Sequence, residues 1–176
     1  NPSGSVLINN VGARNLFAGA SVGGNGTDNA FFGFAAGGTN SAGNYNVIMG
    51  TQAGQLNSTG SLNTLMGWLA GGGATTTATF NGNTFIGAQA GQVSTGGPNT
   101  FIGEKSGQAN STGTQNLFAG NRAGITNTTG GQHTILGYFA DVSSANLQNA
   151  TAIGYNTIVN ASNKVRIGNA AVTVIE

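Results

Sequence analysis

The sequence predicts an all-β fold, a parallel β-solenoid of about ten coils of 14–20 residues each. Three observations predict it. A short motif ending in glycine recurs along nearly the whole chain. Its spacing is narrow, with successive anchor glycines 14, 17, 17, 20, 16, 17, 17, 17 and 14 residues apart. No apolar period of 3.6 residues appears, and units this short cannot hold a helix pair.

The motif is plainest at Asn99-Thr100-Phe101-Ile102-Gly103. It recurs at Asn15 to Gly19, Asn29 to Gly33, Asn46 to Gly50, Asn63 to Gly67, Asn83 to Gly87 and Asn116 to Gly120, with degenerate copies ending at Gly137, Gly154 and Gly168. Three residues after the anchor comes a second small residue, such as Ala36, Ala53, Ala70, Ala90, Ser106, Ala123 or Ala140. Another glycine usually follows (Gly37, Gly54, Gly71, Gly91, Gly107, Gly124), and then polar turns such as Asn57-Ser58-Thr59-Gly60. Each unit reads as a short strand, a glycine corner, a second short segment, another corner and a loop. Stacked coils place the same corner over itself, so glycine there supplies positive φ and close backbone approach. The asparagine before each strand is expected to stack into an amide ladder, bonding the backbone of its own turn or of the next coil.

Two apolar columns run through the strands. Phe17, Phe31, Ile48, Leu65, Phe85, Phe101, Phe118 and Ile135 stand two before the anchor. Ala18, Phe32, Met49, Met66, Ile86, Ile102, Ala119, Leu136 and Ile153 stand one before it. Neighbouring strand residues point to opposite faces, so one column fills the interior and the other faces out. Which is which is left open by the pattern. A long outward apolar stripe is uncommon on a monomer, and burial against identical copies would cover it, which predicts a homo-oligomer.

Composition bounds the function. The 176 residues include 32 Gly and 2 Pro, 38% are hydrophobic and 5% charged, and net charge is +1. Charge is far below the roughly 25% of an ordinary domain, while apolar content is too high for a solvated tail. Arg14, Lys105, Arg122, Lys164 and Arg166 form no run, so no nucleic-acid surface is expected. No apolar stretch of about 20 residues predicts a membrane span. Cysteine is absent, which removes disulfides and thiol chemistry.

Catalytic material is sparse, and no enzyme or cofactor is expected. Asp28, Glu104, Asp141 and Glu176 fall in different units. His133 takes the place of the usual asparagine and reads as a ladder substitute rather than a base or ligand. Glu104-Lys105 reads as a solvated surface pair. Four acids cannot load a calcium ion at every turn, and no Gly-Lys pair follows Gly71-Gly72-Gly73, so neither a metal-binding roll nor a phosphate loop is predicted. The longest unit, with Trp68, Thr75, Thr76, Thr77 and Phe80, is the candidate ligand loop, since enlarged loops on a regular rod commonly carry contacts.

The recurring Asn-x-(Phe/Ile/Leu)-x-Gly followed by Ala-Gly resembles the head repeats of trimeric autotransporter adhesins. The resemblance spans Asn15 to Gly168 and is nearest at Asn149-Ala150-Thr151-Ala152-Ile153-Gly154-Tyr155-Asn156. The 17-residue units are similar to repeats of bacterial and phage tail-fibre-domain proteins. The resemblance implies a left-handed parallel β-roll, side-by-side trimers and no catalysis. Asn163 to Asn169 with Val172-Thr173-Val174-Ile175 resembles the segment before a self-cleaving intramolecular chaperone, implying continuation past Glu176. The expected organisation is a lead-in over residues 1–14, the solenoid over 15–168, and a C-terminal strand over 169–176. The expected function is extension and attachment in an extracellular surface fibre or a virion fibre, toward an unknown protein or glycan receptor. An ice-binding solenoid is the competing class, because Thr64, Thr84, Thr100 and Thr134 share one position, although Leu16, Ala30, Val47 and Leu117 interrupt that column. A glycan-cleaving tail-spike would need paired carboxylates.

Overall fold

The computed structural model describes residues 14–21, 23, 26–73 and 78–174. It is a parallel β-solenoid of about nine turns, with no helix among the described residues. One strand per coil builds the main sheet: β1 (Leu16–Ala18), β2 (Ala30–Phe32), β3 (Val47–Met49), β4 (Thr64–Met66), β5 (Thr84–Ile86), β6 (Thr100–Ile102), β7 (Leu117–Ala119), β8 (Thr134–Leu136), β10 (Thr151–Ile153) and β12 (Val165–Ile167). They lie in chain order, all parallel, each in register with the next, so that Phe85 lies beside Phe101 and Phe101 beside Phe118. Two further strands, β9 (Asp141–Val142) and β11 (Ile158–Val159), pair on a second side near the C-terminal end.

Every strand is three residues long in the main sheet because the backbone turns left-handed on both sides of it. In the β7 coil, Gln115 has φ 59° before the ladder asparagine and Gly120 has φ 138° after the strand. The anchor glycines from Gly19 to Gly154 lie at φ 119–147°, a region that L side chains rarely adopt. A Cβ on Gly87 would also stand 2.5 Å from the backbone carbonyl of Gly103 in the next coil. Both reasons for glycine at this corner are therefore met at once.

The second corner is a different case. Gln52, Lys105 and Arg122 adopt left-handed φ of 56–58° without being glycine, because their side chains leave the rod. Two residues on, Gly54, Gly107 and Gly124 adopt the same conformation, but there a Cβ would point inward. On Gly107 it would lie 2.6 Å from Phe101 Cε2. The core ring, more than the dihedral angle, requires glycine at this position.

The interior holds one large side chain per coil. Phe31, Ile48, Leu65, Phe85, Phe101, Phe118 and Ile135 are fully buried, against the small column of Ala36, Ala53, Ala70, Ala90, Ser106, Ala123 and Ala140. The inward column is thus the one two before the anchor. Rings stack at the coil spacing: Phe85 on Phe101 at 4.9 Å and Phe101 on Phe118 at 4.8 Å, with planes 6° and 11° apart. Each such pair adds about 1 kcal/mol beyond the area it buries.

The amide ladder forms as expected and runs beside this core. Asn29 Oδ1 accepts the Asn46 amide at 2.9 Å, Asn46 Oδ1 the Asn63 amide at 3.0 Å, and so on through Asn83, Asn99 and Asn116. Except at Asn83, whose Nδ2 donates to the Asn81 carbonyl of its own turn, the Nδ2 groups donate to the turn carbonyls ahead, for example Asn99 to Gly113 and Asn116 to Gly130. Both bonds reach forward to the next coil. A second buried column, Asn40, Asn57, Ser94, Asn110 and Asn127, lies beside the same turns, and its asparagines bond the Gly43, Gly60, Gly113 and Gly130 backbone from the other side. Hydroxyls of Ser41, Ser58, Thr95, Ser111 and Thr128 donate to carbonyls one coil on. Apart from Asn40 Nδ2, Asn127 Oδ1 and His133 Nε2, the described interior satisfies its buried polar side chains with amides and hydroxyls, which is why so little charge is needed.

Two expectations need correction. Phe80 does not sit on a surface loop. It occupies the turn position that Gly60 holds one coil earlier, and its carbonyl accepts Asn63 Nδ2 as the Gly60 carbonyl accepts Asn46 Nδ2. Ala78 stands beside Asn57, in place of another asparagine. With the amide gone, the Phe80 ring turns inward, is buried, and packs 6.0 Å from Phe85. The expected C-terminal strand is also not formed over residues 169–174. The Val172 amide donates to the Asn169 carbonyl, making a turn instead.

Candidate functional site

The main surface feature is the outer face of the ten-stranded sheet. The column one before the anchor points outward, as Met49 (41% exposed) and Ile102 (42% exposed) show. A second outward column, three before the anchor, flanks it; the sequence marks it only as the interrupted threonine column, not as part of the apolar face. It carries Leu16, Ala30, Val47, Thr64, Thr84, Thr100, Leu117, Thr134, Thr151 and Val165. The signal was available: residues on either side of an inward residue share the outer face. Ten strands about 4.8 Å apart make this strip roughly 45 Å long and about 10 Å wide. That is about 450 Å², within the range of the largest patch a typical monomer exposes.

The two outward columns compensate each other on eight of the ten rungs, Val47–Met49 and Val165–Ile167 being large on both sides. Leu16 lies across from Ala18 and Leu117 from Ala119, whereas Ala30 lies across from Phe32. Thr64, Thr84, Thr100, Thr134 and Thr151 face Met66, Ile86, Ile102, Leu136 and Ile153. Large and small exchange sides along the face, while each of these strands keeps one of each. A shallow depression of about 310 Å³ lies where the face meets the ladder, lined by Pro98, Asn99, Thr100, Gln115, Asn116 and Leu117.

One residue past each anchor runs a corner column in which Phe34, Trp68, Tyr138 and Tyr155 are exposed. Trp68, 50% exposed, therefore belongs to a column that spans several coils. Tyr138 and Tyr155 stack at 5.8 Å with planes 8° apart, and Arg122 lies 5.2 Å over the Phe139 ring. Thr75, Thr76 and Thr77 of the candidate ligand loop lie outside the described residues.

The charged groups are dispersed and engaged. Arg14 grips Asp28 through two nitrogens, at 2.6 and 2.7 Å, which raises the Arg14 pKa. Glu104 accepts Asn121 Nδ2 at 3.0 Å and lies 4.0 Å from Lys105. Asp141 accepts the Thr126 and Val142 amides, and burial pushes its carboxyl above the usual range. No three His, Asp or Glu come together as metal ligands among the described residues. Among the described residues there is no helix long and apolar enough to cross a membrane.

His133 does stand in the amide ladder. Its backbone amide donates to Asn116 Oδ1 and its Nδ1 accepts the Ala150 amide, both at 3.0 Å. The imidazole thus passes the ladder on as an asparagine would.

No family model, curated protein or solved structure matches the chain.

Proposed function

We propose that the chain is a non-catalytic structural and adhesive segment of an extracellular fibre, extending the fibre and attaching it to a cell or surface. It assembles side by side with copies of itself, trimers being favoured, and its coil is the left-handed roll of adhesin heads. The receptor-binding fibre of a phage or phage-like tail is the same reading in another setting. The observation that carries it is the exposed apolar sheet face, on which eight of the ten rungs set one large residue beside one small one while Val47–Met49 and Val165–Ile167 are large on both sides. Such a strip has value when another surface packs on it at matching height. Copies related by rotation about an axis along the rod provide such a surface, because each rung then meets its own equivalent.

Light scattering on the intact protein tests the assembly. A mass that is a multiple, three favoured, of the 17.4 kDa chain is expected, and Ile102→Glu, placing a carboxylate in the strip, is expected to lower it to that of one chain. A single-chain species in dilute buffer for the unaltered protein would refute the reading.

The ice-binding alternative rests on one observation, the outward threonines of three successive rungs, Thr64, Thr84 and Thr100. Their neighbours Met66, Ile86 and Ile102 break up any two-rank hydroxyl array. Thermal hysteresis that is lost in Thr84→Leu would favour this alternative.

A further inference from the structure

The ladder is made of amides at every position from Asn15 to Asn116 and then meets one imidazole. An amide is insensitive to pH over the physiological range, whereas an imidazole is not. The His133 ring is 1% exposed. Because Nδ1 accepts the Ala150 amide, the ring proton of the neutral form sits on Nε2. Nε2 is enclosed as well. The Leu147 carbonyl lies beside it, the counterpart of the Gly130 carbonyl that Asn116 reaches, without forming a well-aligned hydrogen bond.

A second proton has one place to go, Nδ1. There it would oppose the Ala150 N–H donor to donor and remove the one acceptor that carries the ladder into β10. It would also leave a cation in the interior. Around the ring stand Asn116 and Phe118 from the preceding coil, Gly130 from its own turn, and Leu147 and Ala150 from the next. None of these is charged. Asp141, the other buried titratable group of this coil, directs its carboxylate at the Thr126 and Val142 amides.

We infer that His133 is an acid-sensitive joint between β8 and β10, at which the C-terminal coils open from the rod as the imidazole is protonated. Coils of a solenoid contact chiefly their neighbours, so the opening stays local to the coils after His133 and does not melt the stack from β1 to β7. The sign follows from burial. Desolvation lowers the His133 pKa in the closed rod below its ordinary 6.5, so an opened, solvated ring takes up protons first. Stability of the joint is complete above pH 6.5 and is lost as pH falls toward the closed-state value. Asp141, whose pKa is raised, shifts stability in the opposite sense at lower pH.

Amide hydrogen exchange on the intact protein between pH 7.5 and 5, corrected for intrinsic rates, is the test. The opening constant at the Ala150 amide is expected to rise by up to tenfold for each pH unit below about 6.5. The Ile48 amide is expected to keep its protection. His133→Asn restores the residue used by seven other coils, keeps Asp141, and is expected to leave Ala150 equally protected at pH 7.5 and 5. A ¹⁵N spectrum gives a second, independent readout, in which the ring stays neutral, with the proton on Nε2, below pH 6.5. Equal pH response in the unaltered protein and His133→Asn would overturn the inference, as would a ring that titrates near 6.5 with Ala150 still protected.

Discussion

The sharpest test of how this solenoid is specified is alanine at its second corner, where three left-handed positions differ in what a Cβ would meet. Gln52 already carries a side chain at φ 58°, so Gln52→Ala alters neither conformation nor interior and is expected to change stability by less than about 0.5 kcal/mol. Gly107 has the same backbone, at φ 57°, but a Cβ there would lie 2.6 Å from Phe101 Cε2 and 2.7 Å from Cδ2. Phe101 cannot move aside along the rod, because Phe85 and Phe118 hold its two faces at 4.9 and 4.8 Å. The left-handed penalty of about 1–2 kcal/mol and the overpacking penalty of about 1–3 kcal/mol therefore add, to about 2–5 kcal/mol for Gly107→Ala. Gly54→Ala should fall between the two. Its Cβ would meet Leu65 Cδ1 at 2.8 Å and Ile48 Cδ1 at 2.9 Å, the ends of flexible side chains that can change rotamer. Equilibrium urea unfolding of the three variants, with oligomer mass and protein concentration held constant, gives the order directly. If Gly107→Ala costs no more than Gly54→Ala, the stacked rings do not dictate glycine at this corner.

Other perturbations test other parts of the stack. Asn99→Ala removes the acceptor of the Asn116 amide and leaves it enclosed without a partner, while the Gly113 carbonyl keeps Asn110 Nδ2, so a loss of about 1–3 kcal/mol is expected in urea unfolding. Asp141→Asn removes a carboxyl whose pKa burial raises. Such a group favours the folded state below its unfolded value of 3.8, and that benefit is lost as pH rises through the folded value. The variant should therefore gain on the unaltered protein as pH rises above 3.8, and thermal melts across that range that stay parallel would contradict it.

How far the chain could be understood before folding is clearest from single columns. The anchor glycines recur ten times and the ladder asparagines seven, with the alternation around Phe101 repeated between them. Repetition averages out the ambiguity that any one three-residue strand would carry. Strand position, parallel stacking and the ladder were therefore legible from residue order, as was His133 in an asparagine's place, while ten anchors make ten stacked strands but only about nine turns. Neither apolar column declares itself inward, because a Phe, Ile or Leu is equally apolar on both faces. Closure of the coil decides this: the space beside Ala90 and Ser106 admits one large side chain, and Phe85 and Phe101 take it.

Phe80 shows the same division. Nothing local marks it as buried, since its neighbours read as an enlarged loop, and only the coil stacked beside it reveals that it stands where a glycine turn should be. The exposed pair Tyr138 and Tyr155, seventeen positions apart, becomes one stacked surface only when the two coils are set at the coil spacing. The amino-acid order thus determined what repeats and where the chain must bend, because those depend on neighbouring φ, ψ and side-chain size. The tertiary structure alone decided which residues face in, which face out and which columns meet, because those depend on contacts between coils distant in sequence.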